Sequence, residues 1–210
     1  MGLKAQTDVV TAVIIILLAA ALTTSAYLWG MPIIQKQQGV ANVEKVASYF
    51  DRENSNSLVK KIENIARNGG EETFNSEVSG SWRLYPYDYS GPQNNSIEFA
   101  FWSKETNIAP DIGWIPFKTS STISPGYLGL DDASVVLAKA DSSGDGFTIT
   151  YRIWFRNLTE DGKIHQIRLL PRDPSSTTST GNAIRISRLG EPKLDQTNKL
   201  IITEVQILFG

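Results

Sequence analysis

The chain has no cysteine, one histidine and two methionines among its 210 residues. Missing thiols exclude disulfides, thiolate catalysis and every cysteine-ligated metal centre. One imidazole per chain excludes a histidine-rich zinc or iron site within a single copy. Charge of neither sign dominates: 20 Lys and Arg oppose 22 Asp and Glu, a formal net charge of -2. A nucleic-acid binder needs a basic excess or stripe, so that partner class is set aside. The usual catalytic signatures are also missing: no G-x-S-x-G elbow, Walker A loop, H-E-x-x-H helix or glycine-rich dinucleotide loop occurs. His165 would be the one proton shuttle near neutral pH. Its place mid-strand, on a face with Ile167 and Leu169, reads instead as a hydrogen-bonded core or boundary histidine. The acid pairs Glu71-Glu72 and Asp131-Asp132 are adjacent, so on a strand they face opposite sides. No catalytic residue, cofactor or metal ligand is assigned, and the chain is not expected to be an enzyme.

What the sequence does hold is a concentrated apolar run. Val9 to Gly30 carries no charge, and its polar residues are Thr11, Thr23, Thr24 and Ser25. At about 1.5 Å per helical residue it spans a hydrocarbon layer of roughly 30 Å. Val9, Val13, Ile16, Leu17, Leu22 and Leu28 make up its apolar surface, and Tyr27 and Trp29 sit at its end, where amphipathic rings favour a membrane interface. Such a run reads as a cleaved secretory signal, a plain single-pass anchor, or something set by the residues before it. A secretory signal has an apolar core of ~7–15 residues closed by an A-x-A pattern, and neither feature matches here.

The residues before the run are Met-Gly-Leu-Lys-Ala-Gln-Thr-Asp. This short leader resembles the class III, prepilin-type leader of archaeal type IV pilins and archaellins. The resemblance covers roughly the first 38 residues and extends to the helix exit, Ala26 to Lys36. It implies cleavage by a membrane prepilin peptidase between Ala5 and Gln6. Ala5 stands where glycine is commoner in that family, and Val10 stands where bacterial pilins carry a glutamate. Asp8 could take the glutamate's place by pairing with a neighbour's α-amine, or be an ordinary first-turn acid favoured by the helix dipole.

An all-round apolar helix suits both lipid and the core of a helix bundle. Gly30, Pro32 and Gly39 weaken the helix at its exit, as a simple membrane-exit break or as a hinge that lets the rest of the chain tilt during assembly. Beyond them, Val40, Val43, Ala47 and Phe50 recur at helical spacing, so the stem is expected to reach about residue 50. Leu58, Ile62, Ile65 and Ala66 predict a second short helix, stopped by Asn68-Gly69-Gly70.

From Glu71 the period changes to two. Ile97, Phe99 and Phe101 alternate with polar or small residues, as do Phe147, Ile149, Tyr151, Ile153 and Phe155, and near the end Ile201, Val205, Ile207 and Phe209 share a face. Further strands are expected at 81–87, 133–140, 163–170 and 183–188. This is the pattern of half-buried antiparallel strands in a β-sandwich. Asp141 to Gly146 partly resembles the start of a calcium loop, but Arg152 stands where a bidentate glutamate is needed, so a hairpin turn is expected. Pro171 to Gly181 reads as an exposed, hydroxyl-rich loop. Asn94 and Asn157 each open an N-x-S/T triplet, a candidate for N-glycosylation. Trp102, Trp114 and Trp154 are either core residues or surface aromatics that bridge neighbouring heads.

The expected organisation is therefore α+β: a leader (1–5), a hydrophobic helix or stem (6–50), a short helix and connector (51–70) and an immunoglobulin-like antiparallel sandwich head (71–210). The resemblance implies a structural subunit of an archaeal type IV pilus-like filament. Its partners would be copies of itself, the prepilin peptidase, the assembly platform and, before assembly, the cell membrane with the head outside. A membrane-anchored archaellum stator or surface-layer-binding protein that does not polymerise is the alternative. A tethered surface enzyme or sugar-binding protein is the third possibility.

Overall fold

The structure is a computed structural model that describes residues 2–118, 124–195, 197 and 199–210, with side chains from Val10 onward. Helix α1 runs from Gly2 to Tyr49 and α2 from Leu58 to Asn68. Strands follow as β1 (Glu71–Asn75), β2 (Ser81–Tyr85), β3 (Ser96–Ser103), β4 (Ile115–Pro116), β5 (Gly126–Tyr127), β6 (Ser134–Ser143) and β7 (Gly146–Phe155). The remainder are β8 (Leu158–Glu160), β9 (Lys163–Pro171), β10 (Thr178–Ser179), β11 (Ala183–Arg188), β12 (Lys193–Leu194) and β13 (Leu200–Phe209).

Helix α1 continues through Gly30, Pro32 and Gly39 without a break. An interior proline removes one backbone hydrogen bond and disfavours the helix by about 3 kcal/mol. Despite Gly30 and the β-branched Ile33 and Ile34 beside it, the good helix formers Leu28 and Met31 before it and Gln35 to Gln38 after it carry the helix past it. Thr23 and Thr24 donate their hydroxyls back to the carbonyls of Ala19 and Ala20, both at 2.8 Å, so neither is left unsatisfied. Helix α2 begins as its sequence dictates: the Ser57 hydroxyl accepts from the Lys60 amide, and Gly69 at φ 76 closes the other end.

The strands form two sheets. One has the order β1-β11-β13-β9-β8-β5, with β12 added beside β13; the other has the order β10-β2-β3-β7-β6-β4. The architecture is α+β, as expected, with antiparallel-rich sheets. It is not antiparallel throughout: β9 pairs with β13, and β5 with β8, in parallel. The chain between β9 and β13 passes through β10 of the other sheet and back through β11. That excursion is long enough to return the last strand in the direction of β9. The sequence boundary of the head at Glu71 marks where strands begin, but the core ignores it. Val43, Val46, Tyr49 and Phe50 of the stem and Leu58, Ile62 and Ile65 of α2 join the strand residues in one buried cluster. Phe50 stacks on Tyr151 with ring centroids 4.9 Å apart, and Tyr49 meets Phe74 edge-on at 5.1 Å.

The buried face of the stem is rotated from the expected stripe. Gly39, Val43, Val46 and Phe50 are buried, whereas Val40 is exposed and Ala47 is half-buried. The reason is Gly39. A Cβ there would lie 3.3 Å from the Ser103 hydroxyl, so the lack of a side chain lets the helix close onto the end of β3.

Candidate membrane and assembly surface

The first half of α1 is a single uncovered apolar surface. Val13 to Leu18 are six consecutive apolar residues, each at least half exposed. Consecutive helical positions sweep all directions around the axis, so among the described residues nothing covers any face. Val13, Ile16, Leu17, Leu22 and Leu28 all belong to this surface, and Trp29 at its end is 81 % exposed. The side chains of Ala5, Gln6, Asp8 and Val9 lie outside the described residues, and only their helical backbone is placed. The helix is long and apolar enough to cross a membrane. Full burial of a Val, Leu or Ile side chain is worth about 1.5–3 kcal/mol, so six of them give roughly 10 kcal/mol in favour of any apolar surroundings.

The second half of α1 is fastened to the head. Gln35 accepts from Lys104 Nζ at 2.9 Å, Gly39 O accepts from the Ser103 hydroxyl at 3.4 Å, and Lys45 pairs with Glu77. The Tyr49 hydroxyl accepts from the Glu77 amide at 2.8 Å. Of the three residues expected to loosen the helix, Gly39 is thus a docking position. Gly30 and Pro32 precede these contacts, and among the described residues nothing outside the local helix backbone lies within 4 Å of a Cβ built on Gly30.

The loop Asp141–Gly146 is the expected hairpin. Ser143 pairs with Gly146 across Gly144, at φ 64, and Asp145. Asp141 is taken by Lys139 at 2.6 Å and Asp145 lies 3.5 Å from Lys104. Among the described residues no group of acids or imidazoles could hold a metal ion. His165 is half-buried on β9, with Nε2 3.6 Å from a Glu160 oxygen. It faces a cavity of about 450 Å³ in whose lining Arg52 pairs with both Glu63 and Asp132, Lys60 also pairs with Glu63, and Arg156 pairs with Asp131; Arg67 lines it as well.

Both glycosylation triplets sit at strand ends. Asn94 is half-buried, and the Ser96 hydroxyl of its triplet is buried and donates to Gln93 O at 2.6 Å. Asn157 accepts from Gln166 at 2.9 Å, and Thr159 donates to Gly126 O at 3.0 Å. Both triplet hydroxyls are therefore engaged once the head is folded. None of Trp102, Trp114 and Trp154 belongs to the buried core: Trp102 is half exposed, and the other two flank the Arg152 guanidinium at 4.1 and 5.7 Å.

Sequence reasoning passed over Asn95. Its backbone is left-handed, at φ 58, and its buried amide ties the two sheets together. The side chain donates to Phe155 O of β7 at 3.1 Å and to Ile167 O of β9 at 2.7 Å, and accepts from the Leu169 amide at 2.9 Å. The one local signal is that asparagine tolerates a left-handed turn. Its partners lie 60 to 74 residues away and leave no local trace.

Comparison with protein-family models, with curated proteins and with solved structures gives no match to this chain.

Proposed function

We propose that this chain is a structural subunit of a surface filament of the archaeal type IV pilus kind, built through its N-terminal helix. One observation carries the reading: an apolar helix bare on every side, continued without a break into a segment docked on a β-rich head. In this reading the precursor rests in the cell membrane with its head outside. The prepilin peptidase removes Met1 to Ala5, and the assembly platform moves the helix from lipid into a bundle with its copies. Lipid and neighbouring helices satisfy the same apolar surface, so the transfer carries little net desolvation cost. The head, which this reading takes as immunoglobulin-like, forms the outer surface. Glycans on Asn94 and Asn157, if added, would precede folding of the head.

The length of the helix also favours a second reading, in which it is a permanent anchor and the head a stator or surface-layer-binding module. Intact mass and N-terminal sequencing of the protein from its native membrane separate the two. A chain beginning at Gln6, recovered in filaments, supports the filament subunit. A chain that keeps residues 2–5 and is recovered as single copies overturns it in favour of the anchor.

A further inference from the structure

The outer face of the second sheet carries a recess that the filament reading does not use. Strand register builds it in two rows. Arg83, Glu98 and Arg152 lie abreast on β2, β3 and β7. Two residues along each strand, Ser81, Ala100 and Thr150 form the next row. The long charged side chains of the first row stand beside the short ones of the second, and the floor drops between them. The resulting cavity is about 790 Å³, within the ~300–1,000 Å³ typical of small-ligand sites. Trp114 and Tyr85 stand among its walls, and Thr178, Ser179 and Thr180 of the hydroxyl-rich loop line its edge.

The charges in the recess are unevenly matched. Both oxygens of Glu98 are occupied: Arg152 Nε donates to one at 2.6 Å and the Tyr85 hydroxyl to the other at 3.3 Å. Lys139, at the far end of the Ser81 row, is held by Asp141 at 2.6 Å. Arg83 is different. It donates to the Tyr85 hydroxyl at 3.4 Å, and among the described residues no carboxylate lies within ion-pairing distance of it. An exposed guanidinium with no ion pair of its own, the Glu98 carboxylate beside it being already bonded by Arg152 and Tyr85, stands beside a hydroxyl-rich rim and aromatic walls, and together they match three features of one ligand class. An acidic group suits the planar donors of arginine, a ring of hydroxyls suits the serines and threonines, and an apolar ring face suits an aromatic wall.

We propose that this recess binds an acidic saccharide, a pyranose chain bearing carboxylate or sulfate. The site is independent of polymerisation, so its test runs on single copies of the full chain in nanodiscs. Binding is measured by calorimetry with trigalacturonic acid, a heparin-derived hexasaccharide, neutral cellohexaose and inorganic sulfate. One or both acidic saccharides should saturate the protein at least 10-fold more tightly than cellohexaose and sulfate; binding of trigalacturonic acid shows that carboxylate suffices, and binding of the heparin hexasaccharide alone shows that sulfate on the sugar is required. Arg83→Gln, at an exposed position, should keep the melting temperature and weaken that binding at least 10-fold. Ala100→Phe, which fills the floor, should abolish it. Three results would overturn the proposal: neither acidic saccharide binding better than cellohexaose, sulfate binding as tightly as the saccharides, or affinity unchanged in Arg83→Gln. None of these bears on whether the chain polymerises.

Discussion

The Ser103 hydroxyl donates to the carbonyl of Gly39, and the absent side chain of Gly39 is what brings the stem within its reach. Two opposing terms bear on Gly39→Ala. Alanine favours the helix by up to about 1 kcal/mol, and a Cβ at 3.3 Å asks the Ser103 hydroxyl to give by a few tenths of an ångström. The terms nearly cancel, so Gly39→Ala should change stability by less than about 1 kcal/mol. Gly39→Leu cannot be accommodated and should lower stability by about 1–3 kcal/mol, as overpacking does. Chemical denaturation of the two variants checks both values.

Asn95 should be among the most sensitive positions in the head. Asn95→Ala strands the Leu169 amide and the carbonyls of Phe155 and Ile167, so a loss of about 3 kcal/mol or more is expected. Asn95→Gly loses the same bonds but accepts the left-handed backbone. It should therefore be about 1 kcal/mol less destabilised than Asn95→Ala. Urea denaturation of the pair separates backbone conformation from hydrogen bonding, and both variants keep the Asn94 glycosylation triplet.

Tyr151 lies in the core against Phe50, and its buried hydroxyl meets no hydrogen-bond partner among the described residues. Burial pushes its ionisation well above the ordinary phenol range. The native state thus holds this proton more tightly than the unfolded chain. The stability that follows is complete below the unfolded value of about 10 and is lost as pH rises beyond it. Tyr151→Phe should raise stability at neutral pH by about 1 kcal/mol and flatten the alkaline loss. Thermal melts between pH 7 and 11 test both effects.

At the acid end, the Lys118 ammonium bonded to Asp51 at 2.7 Å holds that carboxyl below its usual range. The same bond raises Lys118 above the ordinary lysine range. The carboxylate's contribution is present above about pH 4 and is lost as pH falls through the lowered native value. The lysine's contribution is lost only above about pH 10. Asp51→Asn should leave a shallower fall in stability below pH 4 than the parent shows, measured by acid titration of the folded fraction.

Leu17 is 63 % exposed on the bare half of α1. A lysine at the centre of a membrane span costs about 3 kcal/mol, roughly 100-fold in partition. Leu17→Lys should deplete the protein from membranes by that order and abolish assembly. Its head should melt at the parent temperature, because Leu17 packs on nothing in the head. Flotation of membranes together with calorimetry of the purified protein checks the two parts.

Much of the local structure was legible from short-range pattern. The second helix, with its glycine stop, falls at Leu58–Asn68, and one strand at Ala183–Arg188, both as the sequence pattern predicts. The uncharged run from Val9 to Gly30 predicts a helix that no part of the chain needs to cover. Less legible were features created by elements meeting. The stem's inward face turns from Val40 to Gly39 because a glycine admits the neighbouring strand more closely than any apolar side chain would. The period-two pattern also identifies which residues of a strand face inward, but it carries nothing about strand direction, so the parallel pairing of β9 with β13 was invisible to it.

Composition and periodicity alone therefore determined the uncharged apolar helix, the change to strands at Glu71, the absence of thiols and the absence of a histidine-rich site within one chain, because each depends only on residue type and spacing. Tertiary structure decided what depends on residues far apart in sequence. It made Gly39 a docking point, set Asn95 as the bolt between the sheets, and laid Arg83, Glu98 and Arg152 side by side above a floor of small residues. Strand register places such groups within a few ångströms of each other, and register is fixed by long-range pairing that no local run of sequence encodes.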